Sequence, residues 1–202
     1  LTGTVAPRRD ARSAQVTLRG ACQIADRLDG LDGPAPRFTR KFDLAERPSR
    51  AALTVSARGV HEVLINGLRA GAQVLTPEWT EYAHRIFVDR IDVSDLLTAG
   101  ENTIEITVGN GWYRGRLGRP ARRDLYGSRL AVIAQLDMEA EDGIVAVLGT
   151  DATWQVFDSD VVANDLYDGM VRDLSLPPSR PARAAVIAPV ATEEFVTRSH
   201  PS

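Results

Sequence analysis

Short segments in which apolar and polar residues alternate, separated by turn signals, constrain the fold of this chain more than any other feature. The longest alternation is Leu130, Val132, Ala134, Leu136 and Met138. Because successive side chains of a β-strand point to opposite faces, this period-two pattern predicts a strand with one buried face. Similar segments, at roughly even spacing, lie at 37–44, 53–57, 61–65, 86–91, 102–108, 145–147 and from 154 onward.

The residues between these strands are typical of tight turns. Asn66–Gly67 ends one strand and predicts a type I′ hairpin turn, in which both central residues adopt positive φ. Glu141–Asp142–Gly143 predicts another hairpin, and a single helical turn is predicted to begin at Asp92 or Ser94 and to end at Gly100. No segment has the pattern of a three-turn helix. The sequence therefore predicts an all-β fold, an antiparallel β-sandwich or jelly roll.

The patterning divides the chain into three regions. Residues 34–176 carry the alternating strands and are predicted to form the sandwich domain. Residues 1–33 are poorly patterned, with one strand predicted at 15–18, and are interpreted as an N-terminal extension or the end of a preceding module. Residues 177–202 are proline-rich and predict a linker, or one last strand at 184–187, toward a catalytic domain absent from this chain.

Composition narrows the classes of partner and compartment. The 202 residues carry a formal net charge of -3, with arginines scattered among acids, so no nucleic-acid partner is expected. The apolar runs are too short to span a bilayer, so no membrane partner is expected either. Cys22 is the only cysteine, which excludes an intrachain disulfide and a cysteine-based metal site. A lone thiol favours a cytoplasmic over a secreted location.

The sequence contains no motif typical of a catalytic centre. Hydrolysis needs a positioned acid and base, an activated nucleophile or a metal. The three histidines, His61, His84 and His200, have no metal-ligand spacing and are expected to be exposed or on edge strands. Neither a GxSxG elbow nor a phosphate-binding glycine loop is present. We therefore name no catalytic residue and expect no catalysis by this chain alone.

Acidic residues near the end of the predicted domain provide one metal-site candidate. Asn164, Asp165 and Asp168 offer the amide and carboxylate oxygens that Ca²⁺ prefers. Their spacing is not that of an EF-hand loop. A loop packed at the edge of the sandwich is the alternative interpretation of the same residues. Calcium is the one cofactor that the sequence suggests.

The most informative stretch is the glycine-rich run Gly109–Asn–Gly–Trp–Tyr–Arg–Gly–Arg–Leu–Gly118. Trp112 and Tyr113 offer flat aromatic faces, and Arg114 and Arg116 offer planar hydrogen-bond donors. Such a combination suits a sugar ring, which presents C–H groups on one side and hydroxyls around its edge. These four residues are therefore candidates for carbohydrate binding.

A second aromatic cluster, with Trp79 and Tyr82, lies between two predicted strands and is interpreted as facing the same side. For both clusters the alternative interpretation is that the aromatic rings plug the sandwich or dock a neighbouring domain. We expect Trp112 in particular to be a buried plug, because it lies inside the glycine-dense run.

Specific motifs occur in a fixed order between about residues 34 and 175. They include Val63–Leu–Ile–Asn–Gly67, Leu75–Thr–Pro–Glu–Trp–Thr–Glu–Tyr82, Asp92–Val–Ser–Asp–Leu–Leu–Thr–Ala–Gly–Glu–Asn102, the run 109–118, and Tyr167–Asp–Gly169. In this combination the chain resembles the N-terminal β-sandwich domain of bacterial α-L-rhamnosidases, which are inverting glycoside hydrolases. The first and third motifs also resemble jelly-roll domains of β-galactosidase-like enzymes, whereas the second and fourth are more specific to rhamnosidases.

The resemblance implies a galactose-binding-domain-like jelly roll ahead of an (α/α)6-barrel, whose two acidic residues carry out inverting hydrolysis. It implies a non-catalytic accessory domain that assists hydrolysis of terminal α-L-rhamnosides by packing on that barrel or by guiding substrate. The alternative is a carbohydrate-binding module that binds rhamnose or a related sugar by itself. Some relatives bind rhamnose through calcium, but Met170 stands here where family members commonly have an acid.

Overall fold

The structure, a computed structural model, describes residues 15–27, 33–119, 122–140, 143, 145–175, 182–188 and 194–197. Its strands are β1 (Ile24–Ala25), β2 (Pro36–Leu44), β3 (Arg50–Arg58), β4 (Val60–Ile65), β5 (Leu68–Arg69), β6 (Arg85–Asp92), β7 (Gly100–Gly109), β8 (Ala131–Glu139), β9 (Val145–Gly149), β10 (Gln155–Asp158), β11 (Val161–Asp165), β12 (Gly169–Arg172), β13 (Arg183–Ala184), β14 (Val186–Ile187) and β15 (Glu194–Thr197). Helical structure in these residues comprises a 3-10 turn, Ser94–Leu96, and a one-turn helix α1, Gly111–Arg114. Neither they nor any other described segment forms a helix that is long and apolar enough to cross a membrane.

Two sheets form the body of the fold. Within the described residues, one sheet has the strand order β14-β1-β8-β3-β6-β15, with β9 also paired to β8, and the other has the order β13-β10-β2-β7-β4-β5. Pairing within both sheets is antiparallel except between β6 and β15, which are parallel. Strands β11 and β12 form a separate hairpin. The predicted all-β antiparallel sandwich is confirmed.

The apolar residues of the alternating segments form the core between the two sheets. Leu130, Val132, Ala134, Leu136 and Met138 are all buried, with at most 6% of each exposed. The six-stranded sheet contributes a matching buried set, Phe38, Val63, Ile65, Ile104, Ile106 and Val108. Trp154 lies in the same cluster at 2% exposure, and its indole Nε1–H donates to the Gly149 carbonyl at 3.0 Å. Burial of these side chains is the main force that holds the sheets together.

The turns follow the predicted chemistry closely. Asn66 and Gly67 have φ values of 53° and 78°, as a type I′ turn requires, and they join β4 to the two-residue strand β5. The predicted helical turn near Ser94 is a single 3-10 turn, preceded by Asp92, whose carboxylate accepts the Ser94 N–H at 3.0 Å. Gly143, in the connection from β8 to β9, has a φ of 79°.

The two sheets extend beyond residues 34–176, the range predicted for the sandwich. On the N-terminal side, β1 pairs with both β8 and β14. On the C-terminal side, β13 pairs with β10, and β15 pairs with β6. The strand predicted at 15–18 is a single bridge between Gln15 and Val196, and the strand predicted at 184–187 is divided between β13 and β14. The prolines at 177, 178, 181, 189 and 201 lie outside the described residues.

Candidate functional site

The glycine-rich run begins where β7 ends and turns at once into α1. Gly111 has a φ of +51°, and a Cβ there would lie 2.6 Å from Cγ1 of Val60. Only glycine fits such a close approach in this backbone conformation. The turn directs the Tyr113 side chain inward at 8% exposure and leaves Trp112 half-buried. Trp112 was expected to be the buried plug, but Tyr113 and Arg114 mainly fill that role.

Arg114 is among the most deeply buried large side chains, with 2% exposure. Its Nε–H donates to Oδ1 of Asn110 at 2.7 Å, and Nη1 donates to the Ser128 carbonyl at 3.3 Å. A buried guanidinium must have such partners, because an unpaired buried charge is very costly. The structure therefore places Arg114 inside the domain, away from any sugar or second domain at the surface.

The two aromatic clusters noted in the sequence come together. Tyr82 packs edge-on against Tyr113, with ring centroids 5.2 Å apart, and also contacts Tyr126 at 4.9 Å. Trp79 is 55% exposed, and its indole N–H donates to the Tyr126 hydroxyl at 2.9 Å. Trp112 packs on the margin of the same cluster. The prediction that both clusters share one side is consistent with these contacts.

Tyr126 belongs to this cluster, although the sequence did not predict it as a site residue. A signal for it was present in the Tyr126–Gly127 pair. A Cβ on Gly127 would lie 2.2 Å from the Tyr113 hydroxyl oxygen, so this position has no room for a side chain beside the buried ring. Together with Leu125, which is 50% exposed, Trp79 and Tyr126 form what we call the aromatic patch.

Tyr82 lies beneath the aromatic patch and is only 5% exposed. Its hydroxyl is buried and has no hydrogen-bond partner among the described residues. Burial raises the pKa of Tyr82 well above its usual value, and the neighbouring Tyr126 adds to the shift. Tyr82 is therefore a neutral structural support for the patch.

The hairpin β11–β12 fastens the glycine-rich run from the other side. The Asn110 backbone N–H donates to Oδ1 of Asn164 at 2.6 Å, and the Asn110 side-chain amide donates to the Asn164 carbonyl at 2.7 Å. Further along, the Gly118 N–H donates to the Tyr167 hydroxyl at 3.0 Å. Strands β11 and β12 were not predicted from the sequence. The structure places the suggested calcium ligands within this hairpin.

Asp165 is the centre of the contact between hairpin and run. Its side chain is 3% exposed and accepts the backbone N–H groups of Arg116 at 3.0 Å and Tyr167 at 3.1 Å. The Arg116 and Arg123 guanidinium groups lie 3.7 and 3.6 Å from it, and Arg116 also pairs with Asp168. Two guanidinium groups already lie beside the Asp165 carboxylate, an arrangement that suits an ion-paired contact better than a Ca²⁺ site. We call this contact between the glycine-rich run and the β11–β12 hairpin the interlock. The described residues contain no group of three or more His, Cys, Asp or Glu arranged for a metal. Calcium binding stays a prediction.

The histidines differ from one another. His84 is exposed, as expected, with 73% of its side chain accessible. The His61 side chain is buried at 2% exposure, so it is not an exposed ring. It lies on β4 at a position whose outer side, beyond the two-residue strand β5, is covered among the described residues only by the bridge to Thr76. The ring is buried because the segment from β5 to β6 folds over it. His200 lies outside the described residues.

Comparison with known proteins agrees with this architecture. Residues 46–184 match the family model described as the alpha-L-rhamnosidase N-terminal domain. An alpha-L-rhamnosidase of Formosa agariphila is 34% identical over 143 residues, which are 70% of this chain and 15% of the relative. One from Streptomyces avermitilis is 34% identical over 148 residues, 73% of this chain and 14% of the relative. The chain thus spans only 14–15% of the length of these curated relatives.

Solved structures show the same fold. The Streptomyces avermitilis α-L-rhamnosidase, complexed with L-rhamnose, superposes with a TM-score of 0.75 at 28% identity, over 82% of this chain and 17% of that one. The enzyme from Dictyoglomus thermophilum also gives a TM-score of 0.75, at 25% identity, over 90% of this chain and 22% of that one. A lectin of Pleurotus ostreatus shares the fold alone, with a TM-score of 0.55 at 18% identity, over 87% of this chain and 43% of that one. On its sequence match and its architecture, the chain belongs to the alpha-L-rhamnosidase N-terminal domain family.

Proposed function

We propose that this chain is a non-catalytic accessory domain of an α-L-rhamnosidase. It assists hydrolysis of terminal α-L-rhamnosides by packing on the catalytic (α/α)6-barrel of the same parent chain or by guiding substrate toward it. Support comes from the relatives, in which the matching region is a small share of a much longer enzyme.

The observation that carries the proposal is the inward direction of the glycine-rich run. Tyr113 and Arg114 are buried, and the Arg116 guanidinium lies between the two acids of the β11–β12 hairpin. The buried residues of the run thus form a support inside the domain. What this support presents to solvent is the aromatic patch of Trp79, Leu125 and Tyr126.

The aromatic patch has the properties of a docking surface. Tryptophan and tyrosine are enriched where protein surfaces meet, because they bury a large area and keep a polar group. The hydrogen bond from Trp79 to Tyr126 holds both side chains in place before any partner arrives. Such preorganisation lowers the entropy that is lost on binding.

The first experiment measures turnover of an aryl α-L-rhamnoside by the purified chain, and none is expected. The second uses the longer product of the parent gene, as wild type and as Trp79→Ser. The substitution should lower kcat/KM or the melting temperature of the longer protein, whereas Trp79→Ser in this chain alone should leave stability nearly unchanged. Turnover by this chain, or a parent gene that encodes no barrel, contradicts the proposal.

A second candidate function is sugar binding by the isolated domain, which the exposed indole face of Trp79 favours. Aromatic faces pack against the C–H side of sugar rings, and the nearby Tyr126 hydroxyl supplies a polar group. Calorimetry with L-rhamnose at millimolar concentration tests it, with Trp79→Ser as the control. A flat trace for the wild-type chain excludes this candidate and leaves the docking role.

A further inference from the structure

The segment between β5 and β6, residues 70–84, carries Trp79 and contains no strand. At its start, the Ala70 N–H donates to the Val63 carbonyl of β4 at 2.9 Å. Nearer to Trp79, a bridge holds it to β4, where the His61 backbone N–H donates to the Thr76 carbonyl at 2.6 Å. The His61 imidazole reinforces the same point, since its Nδ1 lies 3.0 Å from that carbonyl oxygen. The chemistry of one imidazole ring therefore bears on how firmly the segment that presents Trp79 is held.

The other ring nitrogen of His61 faces an acid. Its Nε2 lies 3.6 Å from Oδ2 of Asp89 on β6, and the two side chains are only 2% and 8% exposed. The Thr76 hydroxyl lies 3.4 and 3.5 Å from the two ring nitrogens and, as a hydroxyl, accommodates either a donor or an acceptor there. The Thr76 carbonyl and the Asp89 carboxylate cannot adapt in this way, because both only accept hydrogen bonds.

These contacts discriminate between the protonation states of the ring. A neutral imidazole has a single N–H, so one nitrogen would direct a lone pair at an acceptor oxygen. An imidazolium donates from both nitrogens and carries a positive charge beside the carboxylate. Interactions of this kind are stronger in a buried site than in water, because the local dielectric is low.

We infer that folded His61 is an imidazolium that ties residues 70–84 to both β4 and β6, so that the order of the Trp79 segment depends on pH. At low pH the tie is complete. At higher pH, after His61 releases its proton, Nε2 faces Asp89 without a hydrogen and the segment loosens. This inference goes beyond the proposed accessory role and does not depend on it.

The charged side chains that line the clefts beside His61 include, besides Asp89, those of Glu62, Arg69 and Asp165. Glu62 on β4 and Arg69 on β5 form an ion pair with each other at 3.6 Å. Asp165 on β11 lines the same groove as His61, but Arg116 and Arg123 flank its carboxylate. Asp89 is the acid whose carboxylate lies 3.6 Å from Nε2 of the His61 ring.

The sign of the pH effect follows from linkage. In the unfolded chain, an ordinary histidine releases its proton at about pH 6.5. If the folded chain holds that proton more tightly, the stability from the tie is fully present below about pH 6.5 and is lost as pH rises further. A neutral buried histidine would give the opposite trend, with stability falling as the pH is lowered.

Nitrogen-15 NMR of the wild-type chain tests the protonation state directly. At pH 7 we expect both ring nitrogens of His61 to have the chemical shifts of an imidazolium. A neutral His61 ring at pH 7, with a bare Nε2, overturns the inference. This measurement needs no variant and so does not depend on a substitution that folds.

Variants test the consequence. His61→Gln still donates to the Thr76 carbonyl but has no titratable ring, and His84→Gln removes an exposed histidine from the same segment. Between pH 6 and pH 9, we expect amide hydrogen exchange of residues 70–84, corrected for intrinsic rates, to speed up about tenfold in wild type, which corresponds to 1.4 kcal/mol. His84→Gln should behave like wild type, and His61→Gln should show no such acceleration. Equal acceleration in wild type and His61→Gln overturns the inference.

Discussion

Arg114 shows, at the scale of a residue, how a side chain that suggests recognition in the sequence serves structure instead. A guanidinium in a run with tryptophan and tyrosine is chemically suited to sugar hydroxyls. The fold buries it and directs it to Asn110 and to the Ser128 carbonyl. Sequence reasoning could not detect this, because the acceptors lie on both sides of α1 and meet the arginine only after the chain has turned.

Replacement of Arg114 by methionine should lower the free energy of unfolding by about 2–4 kcal/mol, because it removes hydrogen bonds from a charged group and leaves the Asn110 side-chain oxygen without its donor. Urea unfolding monitored by tryptophan fluorescence measures the change. Arg119→Met, at an exposed position of the neighbouring loop, is the matched control and should change stability by less than about 0.5 kcal/mol. Equal effects of the two substitutions would show that burial of Arg114 has no energetic role.

Tyr82→Phe should leave the unfolding free energy unchanged at pH 7, or raise it by up to about 1 kcal/mol, because the buried hydroxyl has no partner among the described residues. The burial that raises the pKa of Tyr82 also sets a pH dependence. The stability it provides is fully present below about pH 10, where tyrosine in an unfolded chain ionises, and falls as pH rises further. Above about pH 10, the free energy of unfolding of Tyr82→Phe should therefore exceed that of wild type by a margin that grows with pH. Thermal melts of wild type and Tyr82→Phe at pH 7 and pH 11 test this, and an equal loss of melting temperature in the two proteins would contradict it.

The interlock between the glycine-rich run and the β11–β12 hairpin belongs to the scale of elements. It depends on backbone donors, such as the Asn110 and Arg116 N–H groups, that meet side chains distant in sequence. The sequence suggested a loop here, because Asn164 to Gly169 resembles a turn and the flanking strands are short. A hairpin outside both sheets buries few side chains, so its strands lack the apolar alternation that revealed the others.

Asp165→Asn should weaken this interlock. The amide keeps an oxygen acceptor but loses the charge that faces two guanidinium groups, and we expect a loss of about 2 kcal/mol. Asp168→Asn is the matched control, because Asp168 pairs with the same Arg116 but is 61% exposed, and its loss should stay below about 1 kcal/mol. Urea unfolding gives both values, and amide exchange at Arg116 localises the effect. An Asp168 variant as unstable as the Asp165 variant would contradict this ranking.

At the scale of the whole molecule, the sandwich is closed by segments from both ends of the chain. Arg183 on β13 donates to Asp26, which follows β1, and to Asp158 on β10 at 2.8 Å. This partly buried network joins strands of the two sheets, since β1 lies in the seven-stranded sheet and β10 and β13 in the other. The flanking regions thus supply strands to the same two sheets.

A chain restricted to residues 34–176 should therefore be much less stable than the full chain. Loss of at least about 3 kcal/mol would lower the melting temperature by at least about 6–12 °C. In the full chain, Arg183→Met should have a similar effect, because it removes a cation that donates to both the Asp26 and the Asp158 carboxylates. Differential scanning calorimetry of the three proteins tests the claim. Identical melting temperatures would contradict this expectation and support the predicted domain range, residues 34–176.

The sequence by itself determined the class of fold, most strands, the Asn66–Gly67 hairpin and the family. These features follow from local periodicity, turn residues and ordered motifs, which are recognisable without knowledge of the tertiary contacts. Tertiary structure alone decided that Tyr113 and Arg114 point inward, that Tyr126 joins Trp79, and that His61 meets Asp89. Such contacts depend on strands and loops far apart in sequence, and two-residue strands such as β1 and β13 are too short to show any period. The glycine-rich run was recognisable at once, but its role as a support for the aromatic patch appeared only when its partners were in place.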